Sequence, residues 1–210
     1  MPAAESAAGR AERVGLLGGT FDPPHAGHLD AAVRCRDALG LDRVLLVVAN
    51  HPWQKAPRRR ITPAEDRWAM VEAAAEGLAG VEASRIEIDR GGPSYTVETA
   101  EALGSEARAA GRPVPDLFLV VGADLVATLP TWHRVDDLRR LVTLVVVSRP
   151  RRVDPAPPPG WRVERVTGGG VDVSSSEVRA LLAEGRAVDG LVPDPVIRCI
   201  GRRNLYAVGR

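Results

Sequence analysis

Short apolar runs alternate along this chain with stretches whose apolar residues recur at helical spacing. Val14–Leu17, Arg43–Ala49, Leu117–Val121 and Val142–Val147 are apolar nearly throughout, as strands buried on both faces of a sheet should be. Val81–Ile88 reads as a further strand, third in chain order, and Trp161–Val166 as a short last one. Between them lie helical patterns. One runs from about Gly27 to Leu39, where Gly40 stops it. Thr62-Pro63-Ala64-Glu65 has the form of a capping box with proline at the first helical position, opening a helix to about Leu78. A third begins near Tyr95 or Thr96 and ends by Gly111, and two short ones surround Thr131-Trp132-His133. Ser174 or Ser175 caps a helix through Leu182, and Pro193–Ile200 closes the series.

Strands that alternate with helices predict an α/β fold: a doubly wound, Rossmann-like parallel sheet with helices on both faces and a small C-terminal helical segment. Ligands of such sheets bind at the carboxyl ends of the strands, near the point where strand order reverses. The 210 residues suit one domain spanning 13–210. Residues 1–12 read as a disordered leader without the apolar core of a signal peptide, and the proline-rich stretch at about 149–160 reads as a surface loop. A net charge of +1 gives no global field towards nucleic acid or an anionic membrane, so any basic site is local. No run reaches transmembrane length, and Cys35 and Cys199 stand in no metal-ligand spacing. The expected setting is the cytoplasm.

The densest chemistry follows the first strand, in Gly18-Gly19-Thr20-Phe21-Asp22-Pro23-Pro24-His25-Ala26-Gly27-His28-Leu29. Glycines at 18 and 19 permit positive φ and close approach of a ligand to the backbone. A helix N-terminus behind them offers N–H groups and the positive end of a dipole. His25 and His28, three residues apart on the first turn, fall on one side of the helix. The set predicts a phosphate site. Asp22 reads as a brace for the turn and Phe21 as packing. A metal at the histidines lacks further ligands at characteristic spacing.

The string resembles the signature of the adenylyltransferases that make dinucleotide cofactors, in particular the bacterial nicotinate-mononucleotide adenylyltransferases. Val173-Ser174-Ser175-Ser176-Glu177-Val178-Arg179 is similar to a second signature of that family, with Val for Ile and Ser for Thr, although Ser174 with Glu177 also makes an ordinary capping box. The resemblance runs from Val14 to about Tyr206 and implies roles for individual residues. His25, His28 and Arg179 would be catalytic. Gly18, Gly19, Thr20, Phe21, His25, His28, Gly122, Asp124, Ser175 and Arg179 would hold ATP. Asn50, Lys55, Tyr95, Thr96, Trp132, His133 and Arg149 would hold nicotinate mononucleotide, with Trp132 stacked on the pyridine ring. The segment Pro52-Trp53-Gln54-Lys55 departs from the family's usual Pro-Pro-His-Lys form. Of the basic set that follows, at least two of Arg58, Arg59 and Arg60 read as a solvated loop.

The implied activity is transfer of the adenylyl group of ATP to nicotinate mononucleotide, giving nicotinate adenine dinucleotide and pyrophosphate in NAD biosynthesis. The attacking phosphate oxygen is already ionised, so positioning and electrostatic stabilisation supply most of the acceleration. Mg²⁺ is expected on the ATP phosphates, with no protein ligand assigned. The partners are small molecules, with neither nucleic acid nor membrane, and a homo-oligomer stays open. Two other readings share the first motif: a sister nucleotidyltransferase with another acceptor, such as nicotinamide mononucleotide or phosphopantetheine, and a nucleotide-binding sensor without turnover.

Overall fold

In the computed structural model, which describes residues 10–52, 61–148, 155–167 and 171–206, the apolar runs become six strands. They are β1 Arg13–Gly19, β2 Arg43–Val48, β3 Val81–Ser84, β4 Asp116–Gly122, β5 Val142–Val147 and β6 Val163–Val166. Every pairing is parallel, in the order β3-β2-β1-β4-β5-β6. The chain builds outwards from β1 on one side, then returns to place β4 on the other. This is the doubly wound order, and its crevice opens at the carboxyl ends of β1 and β4.

Successive strand residues feed opposite layers. Leu16, Leu45, Leu119 and Leu144 face α4 (Thr96–Ala109), a 3₁₀ helix (Ala123–Thr131) and α5 (Val135–Leu141). Leu17, Leu46, Val120 and Val145 face α1 (Ala26–Leu39) and α2 (Ala64–Ala75). A third cluster sets Met70 and Ala74 of α2 against α6 (Ser175–Ala183) and α7 (Asp194–Arg202), which form the C-terminal helical segment. Truncating a fully buried strand residue such as Leu16 to Ala would cost about 2–5 kcal/mol, because the packed layer around it relaxes only partly into the void. No helix among the described residues is long and apolar enough to cross a membrane.

Several boundaries differ from the sequence reading. The expected strand to Ile88 stops at Ser84, paired with Val47, because β2 leaves the sheet one residue later and offers no further ladder. The chain turns instead into α3 (Ile86–Arg90). No capping box forms at Thr62: Pro63 is itself the N-cap residue, extended at φ −48° and ψ 146°, and the helix ends at Ala75, short of Leu78. Gly40 does stop α1, in the left-handed conformation at φ 58°. Residues 10–12, read as leader, are anchored: Arg10 forks onto Asp42 and Glu12 pairs with Arg43.

Candidate active site

At the end of β1 the backbone stays extended through both glycines, and the left-handed residue is Phe21, at φ 50°. The expectation of positive φ at Gly18 and Gly19 is therefore corrected: neither takes it, and only Gly19 is held to glycine by a close neighbour. A Cβ at Gly19 would lie 3.0 Å from the Phe21 ring, which folds back over the strand end, whereas one at Gly18 would meet nothing. Phe21 is buried in the layer under α1 and meets the His28 ring edge-on at 4.9 Å between centroids.

His25 caps α1, and its own N–H donates to Nδ1 of His28 at 3.2 Å. The two imidazoles stack at 3.7 Å and both line the cavity. With Nδ1 of His28 accepting, the proton of the neutral ring sits on Nε2, which makes that nitrogen a donor. The helix start offers less than its sequence implied. The Ala26 N–H is taken by the Leu191 carbonyl at 2.8 Å, and the His28 N–H goes to the His25 carbonyl at 2.9 Å.

The second motif closes onto the first. Ser174 caps α6 by accepting from the Glu177 N–H. Ser175 donates its hydroxyl to the Pro23 carbonyl at 2.9 Å. Arg179 donates to the Asp22 carbonyl at 2.6 Å and to Ser176 Oγ at 3.0 Å. The two stretches, some 150 residues apart, meet at one turn. From beyond α7, the Tyr206 hydroxyl donates to the buried Asp22 carboxylate at 2.6 Å. Burial, then the neighbouring carboxylate, raises the Tyr206 hydroxyl above its ordinary range. Asp22 is thus a brace, as its place in the sequence suggested.

Across the crevice, β4 ends at Gly122, and the Asp124 carboxylate folds back so closely that a Cβ at Gly122 would sit 2.6 Å from its Oδ1. Tyr95 and His133 stack at 4.2 Å, and Trp132 donates its indole N–H to Thr128 Oγ1 at 3.1 Å. Thr96 begins α4 beside them. Buried Glu87, on α3, accepts from Thr99 at 2.7 Å and also reaches the cavity wall.

These surfaces enclose a cavity of about 790 Å³ lined by Gly18, Gly19, Thr20, Phe21, His25 and His28 on one side and Tyr95, Thr96, Trp132 and His133 on the other. Gly122, Asp124, Ser175 and Arg179 complete it. The volume suits a ligand of nucleotide size. Asn50 is the exception: its amide donates to the Gly92 carbonyl at 3.0 Å, and its N–H to Ser94 Oγ at 2.8 Å, bracing the loop before Tyr95. Lys55, Arg58, Arg59, Arg60 and Arg149 lie outside the described residues.

Arg67 was not singled out from sequence. It is buried in α2, and its guanidinium donates to the carbonyls of Thr62, Thr20, Ala49 and Asn50. The signal was present: Arg67 occupies a place in the buried stripe completed by Met70, Val71 and Ala74, where an apolar residue is the norm.

A family model described as Cytidylyltransferase-like matches residues 16–181. A protein of Acidothermus cellulolyticus, described as a probable nicotinate-nucleotide adenylyltransferase, is 40% identical over 200 residues, covering 94% of this chain and 96% of that one. One of Streptomyces coelicolor with the same description is 41% identical over 191 residues, covering 90% and 98%. Among solved structures, Plasmodium falciparum nicotinic acid mononucleotide adenylyltransferase complexed with NaAD superposes with a TM-score of 0.71 at 14% identity, covering 93% of this chain and 97% of that one. The last likeness is one of fold.

Proposed function

The chain belongs to the cytidylyltransferase-like family and, within it, to the nicotinate-nucleotide adenylyltransferases, nucleotidyltransferases of NAD biosynthesis, and from that premise we propose that the cavity between β1 and β4 is where the adenylyl group of ATP passes to nicotinate mononucleotide. The observation that carries the site assignment is the stacked His25–His28 pair at the β1 end of a cavity whose far wall is Tyr95, Trp132 and His133.

In this reading a phosphate oxygen of nicotinate mononucleotide attacks the α-phosphorus of ATP. One P–O bond forms, and the bond from the α-phosphorus to the bridging oxygen breaks. Pyrophosphate leaves with that electron pair. No proton needs to be removed from the nucleophile, so the protein's task is orientation and charge stabilisation. Nε2–H of His28 donates to the α-phosphate oxygens, where charge builds in the transition state. His25 supports it through the stack and the helix cap. Arg179 lies at the same turn, and its guanidinium reaches the β- and γ-phosphates by exchanging its bond to Ser176 for a phosphate oxygen. Trp132 and the Tyr95–His133 pair offer flat faces to the pyridine ring.

Mg²⁺ fits this donor set as an ion carried by the substrate. The acid at the turn, Asp22, is buried against the Tyr206 hydroxyl, so phosphate and water oxygens would be the ion's ligands. Bound there, it would screen the phosphate charge.

The test is pyrophosphate release with ATP and Mg²⁺, with nicotinate and nicotinamide mononucleotides offered in parallel at equal concentration. Preference for the acid is the expected result. Preference for the amide would overturn the acceptor and keep the transfer; silence with both would overturn the transfer.

A further inference from the structure

We propose that Arg67, which does not itself line the cavity, is a positioning residue for the adenylyl-transfer step; this rests on the reading of the cavity given above. Parallel strands end in carbonyl groups, and those carbonyls set the path of the chain around a ligand at that end of the sheet. Of the four carbonyls that Arg67 grips among the described residues, three stand just beyond β1 and β2: Thr20 at 2.9 Å, Ala49 at 2.6 Å and Asn50 at 3.1 Å. The fourth, Thr62 at 2.8 Å, starts the helix that carries Arg67.

One side chain therefore ties the glycine–histidine turn, the segment after β2 and the head of α2 to a common plane. The consequence for the site follows along the backbone. Thr20 precedes Phe21, whose left-handed φ of 50° turns the chain towards His25. Beyond Phe21, the carbonyls of Asp22 and Pro23 are fixed by Arg179 and Ser175. The turn is thus held at both ends, by α6 on one side and by Arg67 on the other. Asn50, held through its carbonyl, passes the constraint to Gly92 and Ser94 and so to the loop before Tyr95. Both walls of the cavity are referred to one guanidinium.

The choice of arginine is specific. A planar fork of five donors can satisfy carbonyls arriving from several segments, whereas a lysine ammonium is a compact point charge with three donors. A carbonyl that drifts by about 1 Å at Thr20 moves the histidine pair out of line, and misplacement of that size costs about 100-fold in rate.

The experiment compares wild type, Arg67→Lys and Arg67→Gln, with folding checked by circular dichroism and the unfolding midpoint. Affinity for ATP is measured by calorimetry without acceptor, and kcat by pyrophosphate release with nicotinate mononucleotide. In folded variants kcat should fall about 10- to 100-fold while the ATP Kd stays within about threefold, with Lys recovering part of what Gln loses. Folded variants that turn over within about twofold of wild type would overturn the proposal, as would a Kd that weakens in step with kcat. Variants that cannot be folded would assign Arg67 to stability alone, which also overturns it. The wild-type arm separates the two readings: silence there removes the transfer reading, whereas wild-type turnover with unimpaired variants removes only the role of Arg67.

Discussion

The two walls of the cavity are made in different ways. On the β1 side the turn from Thr20 to His25 is buried, and its carbonyls are held by three side chains from two distant elements: Arg67 of α2, and Ser175 and Arg179 of α6. On the facing side Tyr95 and Trp132 are half-buried against the core and His133 is exposed, and their contacts include a ring stack and an indole hydrogen bond in place of ties to the backbone turn. A backbone tied at several carbonyls cannot shift one group without shifting all, which suits atoms that must meet a phosphorus in line. Half-exposed rings adjust their faces to a flat ligand at little cost. Rate should accordingly reside on the first wall and acceptor affinity on the second.

The hardest test of that division is His28→Ala. Removing one preorganised donor to a developing oxyanion costs about 10²–10³ in rate, so kcat should fall by that factor while the KM for ATP changes by only a few-fold. A comparable rise in KM with kcat intact would place His28 in ground-state binding and dissolve the contrast. Arg179→Ala comes next. It deletes the donor to the Asp22 carbonyl and the cation beside the phosphates, for an expected loss of about 10- to 100-fold in kcat/KM and a lowered unfolding midpoint. A variant with unchanged stability and a large KM effect would assign the residue to phosphate alone.

Trp132→Ala should sharpen the contrast from the other side. Aromatic stacking is worth about 0.5–1.5 kcal/mol beyond area, so the KM for nicotinate mononucleotide should rise roughly 2- to 10-fold, with ATP kinetics and kcat near wild type. Equal effects on both substrates would show that the indole holds the wall together instead of meeting the ring, through its bond to Thr128.

How far these features were legible depends on whether they are local. The doubly wound sheet was readable because its central strands are continuous apolar runs and its helices carry their own stops, such as Gly40. The stretch from Gly18 to His28 was readable because its special residues are adjacent. The extent of β3 was not, since an edge strand ends where its neighbour leaves, and the departure of β2 at Ala49 is a tertiary event. The engagement of Ser175 with Pro23 also escaped, because two sites so far apart in sequence leave no mark on each other. Arg67 leaves only the oddity of a cation in an apolar stripe. The glycines show a subtler failure: their presence was correctly tied to the turn, but the φ they were expected to supply is supplied by Phe21, and Gly19 answers to the ring of that residue.

The smallest expected effect on activity belongs to Tyr206→Phe, which touches the first wall from behind. The lost hydroxyl leaves the buried Asp22 carboxylate one donor short, at a cost of about 1–3 kcal/mol in stability, while kcat stays close to wild type because Arg179, Ser175 and Arg67 still hold the turn. The pH dependence makes the link visible. Burial and the Asp22 carboxylate raise the hydroxyl's pKa in the fold, so its contribution is present below the unfolded-state value of about 10 and is lost as pH rises beyond it. Wild type should therefore weaken above that pH with one more proton in its slope, about 1.4 kcal/mol per pH unit, than the Phe variant. Cys35, pushed up to about 12 by burial, bends both curves in the same direction and cancels in the difference. Urea unfolding between pH 8 and 11 measures it. Superimposable curves would mean that Tyr206 does not brace Asp22 in solution, and the rigidity of the catalytic wall would then rest on the donors from α2 and α6 alone.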